Sequence, residues 1–155
     1  MTHYSASRDP DWHLPDPHAQ PEFYADVPMK RLVAWVFDAF FVMVLTVIAI
    51  PFTAFTGLFF LPFLWMVIGF GYRVVTLANG SATFGMRMMA IEFRTAQGQR
   101  FSLSEAFMHT LGYSVSLSFG VLQVVSVVLM LTTARGQGLT DHVMGTVALN
   151  RRAGG

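Results

Sequence analysis

Apolar residues run almost unbroken from Leu32 to Ile50, where 17 of 19 positions are apolar and Asp38 is the sole charge. A hydrocarbon core ~30 Å thick takes about 20 helical residues to cross, so the run predicts one membrane crossing. Pro51 removes a backbone donor and Thr56-Gly57 permits a reversal, which together mark a turn. A second apolar run from about Leu58 to Val75 predicts the return crossing. Pro62 falls in its first turns, where a missing N–H costs little, and Arg73 lies near its far end, where a long stem reaches the interface. The two runs predict a helical hairpin with a very short outer loop. A third apolar segment, about 111–131, lies within the 29 uncharged residues between Glu105 and Arg135.

The stretch between the second and third runs has a different period. Asn79-Gly80-Ser81 is a turn cluster, Met89 to Arg94 tends to alternate, 95–99 is a loop with Gly98, and Arg100 to Leu103 resumes the alternation. This pattern predicts a β-hairpin on the membrane face. Ser102-Leu103-Ser104-Glu105 has the form of a capping box that opens the next helix. Gly145 to Asn150 alternates again and suits a further strand on the same small sheet. The fold class expected is thus an all-α membrane protein: a transmembrane hairpin, a third hydrophobic segment and a small cytoplasmic β-hairpin or sheet.

Composition adds the tail and the class. Residues 1–29 hold five of the seven prolines, three of the five histidines and five of the nine acids. They show no apolar periodicity, so this part is expected to be a disordered acidic tail, followed by a membrane domain over 30–150 and a short tail at 151–155. Over all 155 residues only 12% are charged, against roughly 25% in an average soluble domain. Cysteine is absent, which excludes disulfides, thiolate metal sites and a cysteine nucleophile, and the net charge of +1 gives no basis for nucleic-acid binding.

Charge placement bears on topology. Lys30, Arg31, Arg73, Arg87, Arg94 and Arg100 fall on one side of the expected hairpin, and the outer loop has no cation. The positive-inside rule puts that side, with the N-terminus, in the cytoplasm. A single crossing by residues 106–134 would place Arg135, Arg151 and Arg152 outside and keep the last strand from its sheet. Two crossings need about 40 residues. Hydropathy alone therefore predicts a third span, while charge favours a bent or re-entrant segment broken at Gly112 or Gly120; both alternatives stand at this point.

Asp38 is the acid that most needs a reason. An aspartate near mid-helix costs about 2.5–3.5 kcal/mol on insertion, and an intramembrane acid is by default a candidate functional site. Arg31 and Asp38 share a helix face at i, i+7, but side chains lean toward the helix N-terminus, so Arg31 leans away. Asp38 is expected to meet Arg73, Arg87, His109 or a backbone donor, and Arg31 to meet Asp141.

Arg31 to Asp38, Thr83 to Met88 and Gly138 to Val147 stand in the order and spacing of three motifs, and the chain here resembles the RDD family, over about residues 29–150. The resemblance implies a small bacterial-type integral membrane protein of the inner membrane, with Arg31, Asp38 and Asp141 as its name-giving triad, and it assigns no reaction. Met86 stands where the family commonly has lysine, and His109 near where it often has arginine.

No nucleophile elbow, zinc-protease helix, phosphate loop or dinucleotide fingerprint is visible, so no enzyme activity and no cofactor are expected. His3, His13 and His18 read as solvated tail histidines. Two functions fit. In one, the protein transports ions or a small solute with Asp38 as a proton- or cation-binding acid, Arg73, Arg87 and His109 in support, and a second copy or partner membrane protein completing the path. In the other, it is a non-catalytic membrane module that docks protein or lipid, and the triad is a polar lock. The lipid bilayer is a partner in both.

Overall fold

The computed structural model describes residues 14–151. Helix α1 spans Val27–Phe52 and α2 spans Leu61–Gly80, and these two are long and apolar enough to cross a membrane. At 1.5 Å per residue, the 26 residues of α1 reach about 39 Å, more than a hydrocarbon core. Pro51 sits in the last turn of α1, and the reversal is made by Ala54 and Phe55, both in the left-handed region at φ 52° and 64°. Gly57 completes the turn through close approach, since a Cβ there would lie 2.8 Å from Thr53 Oγ1 and 2.9 Å from Leu64 Cδ2. The expected hairpin with a short outer loop is present.

The remaining elements start and end at the opposite end of the hairpin, and among them residues 117–118 reach back to share a cavity wall with Trp65 and Met66. These elements are α3 (Phe84–Met88), β1 (Ile91–Arg94), α4 (Leu103–Ser118), α5 (Gly120–Thr132), α6 (Leu139–Met144) and β2 (Val147–Asn150). The capping box of Ser102 and Glu105 opens α4 as expected. Val27, Ala34, Leu77, Ala82, Met86, Ile91, Phe93, Phe101, Ala106 and Ala148 pack into one core at this end. The long helices carry exposed apolar side chains instead, Phe52 and Phe63 among them. This is the pattern of a chain whose solvent is lipid over most of its length.

The sheet differs from the expected hairpin. β1 pairs antiparallel with β2, from Ile91 opposite Asn150 to Arg94 opposite Val147, and not with residues 100–103. The cause is Ser81, the left-handed C-cap of α2. Its carbonyl accepts from Phe93 N at 2.7 Å, its hydroxyl donates to Phe93 O at 2.8 Å, and the same hydroxyl accepts from Phe101 N at 2.8 Å. With its amide committed to Ser81, Phe101 leaves the strand edge open to the C-terminal segment.

α4 and α5 meet at Phe119 with a bend of 116°. Because β2 follows α5 and pairs with β1, the start of α4 and the end of α5 lie at the same end of the hairpin. Gly120 marks the break; Gly112 instead lets α6 approach α4, since a Cβ there would meet Thr140 Cγ2 at 2.6 Å.

The disordered tail expected across 1–29 does not hold for residues 14–29: 27–29 open α1, and the segment before them folds onto the sheet. Asn150 Nδ2 donates to the carbonyls of Glu22 and Ala25, each at 2.8 Å, and Tyr24 packs with Val147, Leu149, Leu14 and Phe23. The apolar residues here are too sparse to show a period, but a strand end with a side-chain amide is enough to hold the backbone. Residues 1–13, with His3 and His13, and 152–155 lie outside the described residues.

Candidate functional site

The two acids of the motif segments are both buried, Asp38 at 6% exposure and Asp141 at 0%. Burying a carboxylate is costly unless it is hydrogen-bonded or paired. Each acid meets that condition in a different way.

Asp38 lies in the second turn of α1 beyond Arg31. Its Oδ1 accepts from Tyr72 Oη at 2.7 Å and from Gly85 N at 2.9 Å, and its Oδ2 accepts from Thr83 Oγ1 at 2.6 Å. Thr83 is the N-cap of α3 and also accepts from Met86 N. Asp38 thus takes an amide at the start of a five-residue helix that could not hold itself, with its negative charge at the positive end. Gly85 is required for the approach, because a Cβ would stand 2.1 Å from Ala34 O.

Asp141 lies in the first turn of α6. Oδ2 receives Arg31 Nη1 at 2.6 Å and Gly138 N at 3.0 Å, while Oδ1 receives Thr146 Oγ1 and faces His109 Nε2, both at 2.8 Å. Burial pushes this carboxyl up, but the Arg31 guanidinium and the His109 contact outweigh it and hold it well below the usual carboxylate range. Arg31 also reaches Gly136 O and covers the Phe93 ring, 5.2 Å from its centroid, and His109 is tilted on the same ring at 4.4 Å.

The sequence-predicted residues therefore divide. Arg31 and Asp141 meet, with His109 beside them. Asp38 stands apart with hydroxyl and amide donors, and His109 is on Asp141 and not on Asp38. Arg87 bonds the Ala82 and Thr76 carbonyls and lies over Phe84, so it closes the α2–α3 loop and does not reach Asp38. Arg73 covers the Tyr113 ring at 4.0 Å, and its side chain forms no hydrogen bond or ion pair among the described residues, its buried Nε included. Tyr72, Thr83 and Gly138 are partners that sequence reasoning missed; the threonine before Phe84-Gly85 was a legible N-cap signal, whereas Tyr72 reads from sequence only as an interfacial aromatic.

A cavity of about 890 Å³ lies between α1, α4, α5 and α6, and Arg31, Asp38, Arg73, His109 and Asp141 all reach its wall. Among the described residues no group of histidines and acids is arranged to hold a metal. In chemical terms both acids are satisfied carboxylates that hold backbone in place. A family model described as the RDD family matches residues 25–145 of the chain. No curated protein and no solved structure matches it.

Proposed function

The chain belongs to the RDD family, and on that premise we propose that it is a non-catalytic integral membrane module in which Arg31, Asp38 and Asp141 act as a polar lock. The observation that carries this reading is the triple hydrogen bond on Asp38, from Tyr72, Thr83 and the Gly85 amide. A transport acid must release and rebind its ion during each cycle. Here that exchange would unfasten α3 from α1.

The module docks lipid or protein through its outer faces and its cavity. On the positive-inside rule the sheet end, with Lys30, Arg31, Arg87, Arg94 and Arg100, is cytoplasmic, and α4–α5 re-enters the bilayer and returns. The chemistry of the family resemblance suits a bacterial plasma membrane. A second reading, transport of a proton or cation through a dimer or a partner complex, is favoured by one observation, the place of Asp38 on the wall of the large cavity.

Reconstitution separates the two. Purified protein in liposomes loaded with ion and pH indicators is expected to give the flux of protein-free liposomes, and Asp38→Asn is expected to lose folded yield. A pH-dependent flux in the wild type, abolished in a well-assembled Asp38→Asn variant, would establish transport and overturn the lock.

A further inference from the structure

Arg73 is the cation that the lock leaves over. Arg31 is taken by Asp141, Arg87 by two carbonyls and Lys30 by Asn150, whose Oδ1 lies 2.7 Å from Nζ. Arg73 lies seven residues before the end of α2 at Gly80, about 10 Å along the helix. An unpaired guanidinium at that depth is costly. Its natural counter-ion, Asp38, is committed to three other donors and forms no ion pair with it.

The geometry leaves Arg73 open on one side. Tyr113 covers the face of the guanidinium at 4.0 Å, and Tyr113 is itself fixed by Trp35 Nε1, which donates to its hydroxyl at 2.7 Å. A stacked guanidinium still presents its edge donors, the fork that matches a carboxylate. Arg73 lines both the 890 Å³ cavity and a second one of about 230 Å³ beside it. The wall of the larger cavity also carries the apolar side chains of Leu117 and Val127, both partly exposed on the outer surface of the protein.

We propose that this cavity binds a single-chain lipid carboxylate, with its head on the Arg73 guanidinium and its acyl chain running over Leu117 and Val127 to the bilayer. A volume of about 890 Å³ falls within the range of sites for one drug-sized ligand, which suits one chain and not the two of a phospholipid. A monoanionic head also suits the neighbourhood of Asp38 better than a dianionic phosphomonoester, and chain number sets it apart from a monoanionic phosphodiester lipid. The inference rests on the reading of the protein as a docking module.

The test uses the full chain in phosphatidylcholine nanodiscs titrated with dibromostearate, read by quenching of Trp35 and Trp65, which both line the smaller cavity. Saturable quenching is expected above the linear background of bilayer-partitioned lipid, and only that background from the brominated fatty alcohol, since Trp35 is itself partly exposed. Arg73→Gln is expected to weaken binding about tenfold or more, the loss of a charge-assisted fork, and Arg73→Lys to retain part of it. Val127→Phe, which leaves all charges in place and fills the passage, is expected to weaken binding too, and it covers the case in which the arginine variants fold poorly. Equal quenching by the alcohol, or full affinity in Arg73→Gln or Val127→Phe, would overturn the proposal. So would Arg73-dependent quenching by a brominated phosphatidylglycerol in place of the fatty acid. These outcomes leave the Asp38 lock standing, because that reading is tested by variants of Asp38 and its donors and not by Arg73 or Val127.

Discussion

Asp38→Asn is the sharpest perturbation of the lock. The substitution keeps the shape of the side chain and exchanges one acceptor oxygen for an NH2 group. Thr83 Oγ1 donates to Oδ2 at 2.6 Å, while Tyr72 Oη and Gly85 N both donate to Oδ1. With the amide oxygen kept toward Tyr72 and Gly85, the NH2 group faces a hydroxyl that already accepts from Met86 N, and one charge-assisted bond is lost. A hydrogen bond to a charged group contributes about 1.5–3 kcal/mol. The two remaining bonds weaken as the acceptor becomes neutral, which brings the sum to about 2–4 kcal/mol. Relief of the cost of holding a charge near mid-helix offsets part of this, so a net loss of about 2–3 kcal/mol is expected. For a chain of this size, 1 kcal/mol moves Tm by roughly 2–4 °C. Thermal unfolding in detergent should therefore fall by about 5–10 °C, with a smaller monodisperse fraction. Thr83→Val should lose much of the same energy, and the double variant should be less than additive, since the two residues share one bond. An unchanged Tm for Asp38→Asn, or full additivity with Thr83→Val, would refute the assignment of Asp38 to the lock.

Gly85→Ala is expected to be at least as damaging as Asp38→Asn, because its Cβ would stand 2.1 Å from Ala34 O and must drive α3 off α1; overpacking of this kind costs about 1–3 kcal/mol or more, read as Tm or as loss of folded yield. Asp141, held below the ordinary carboxylate range, contributes stability that is fully present above the unfolded value near ~3.9 and is lost as pH falls below it. Wild type should thus lose Tm on acidification below about pH 4, and Asp141→Asn should start lower and show a shallower acid limb; parallel curves would contradict the pairing with Arg31. The chain has no cysteine, so Gln99→Cys and Ala134→Cys can be labelled singly in sealed vesicles. Both should react from the same side and Phe55→Cys from the other, and labelling of residue 134 from the Phe55 side would sink the re-entrant course of α4–α5.

What was legible in the sequence follows from the range over which each signal acts. The crossings, the outer turn and the Ser102–Glu105 cap depend on residues within a few positions of each other, and hydropathy and cap chemistry display them directly. The meeting of Arg31 with Asp141 was also readable, because side-chain lean on α1 ruled out Asp38 as its partner. Strand pairing was readable only in part: 145–150 was expected on the sheet and is there, but residues 100–103 alternate as well, and they are excluded by the Ser81 hydroxyl on the Phe101 amide. The donors to Asp38 were hidden for a related reason. Charge complementarity pointed to Arg73 and Arg87, whereas the carboxylate is met by two hydroxyls and a glycine amide, groups that carry no charge signal in a sequence.

The separation of the two acids explains the i, i+7 spacing better than a shared ion site does. α3 and α6 have five and six residues, far below the ~12–15 at which an isolated helix becomes even marginal in water. Each is held at its N-terminus by a carboxylate, one supplied from α1 by Asp38 and one from within by Asp141, and in both cases the negative charge faces the helix dipole. Helix α1 then needs a cation where it meets α6 and an anion where it meets α3. Two helical turns separate Arg31 from Asp38, so both project from one face at two depths. If this account holds, exchanging the charges of Arg31 and Asp141 together should recover less than the wild-type stability. Arg31→Asp with Asp141→Arg restores the ion pair but puts a guanidinium at the start of α6, where the Gly138 amide and the Thr146 hydroxyl also need an acceptor. Recovery of the full wild-type Tm by that double variant would show that the ion pair alone matters, and that the capping of α6 contributes nothing.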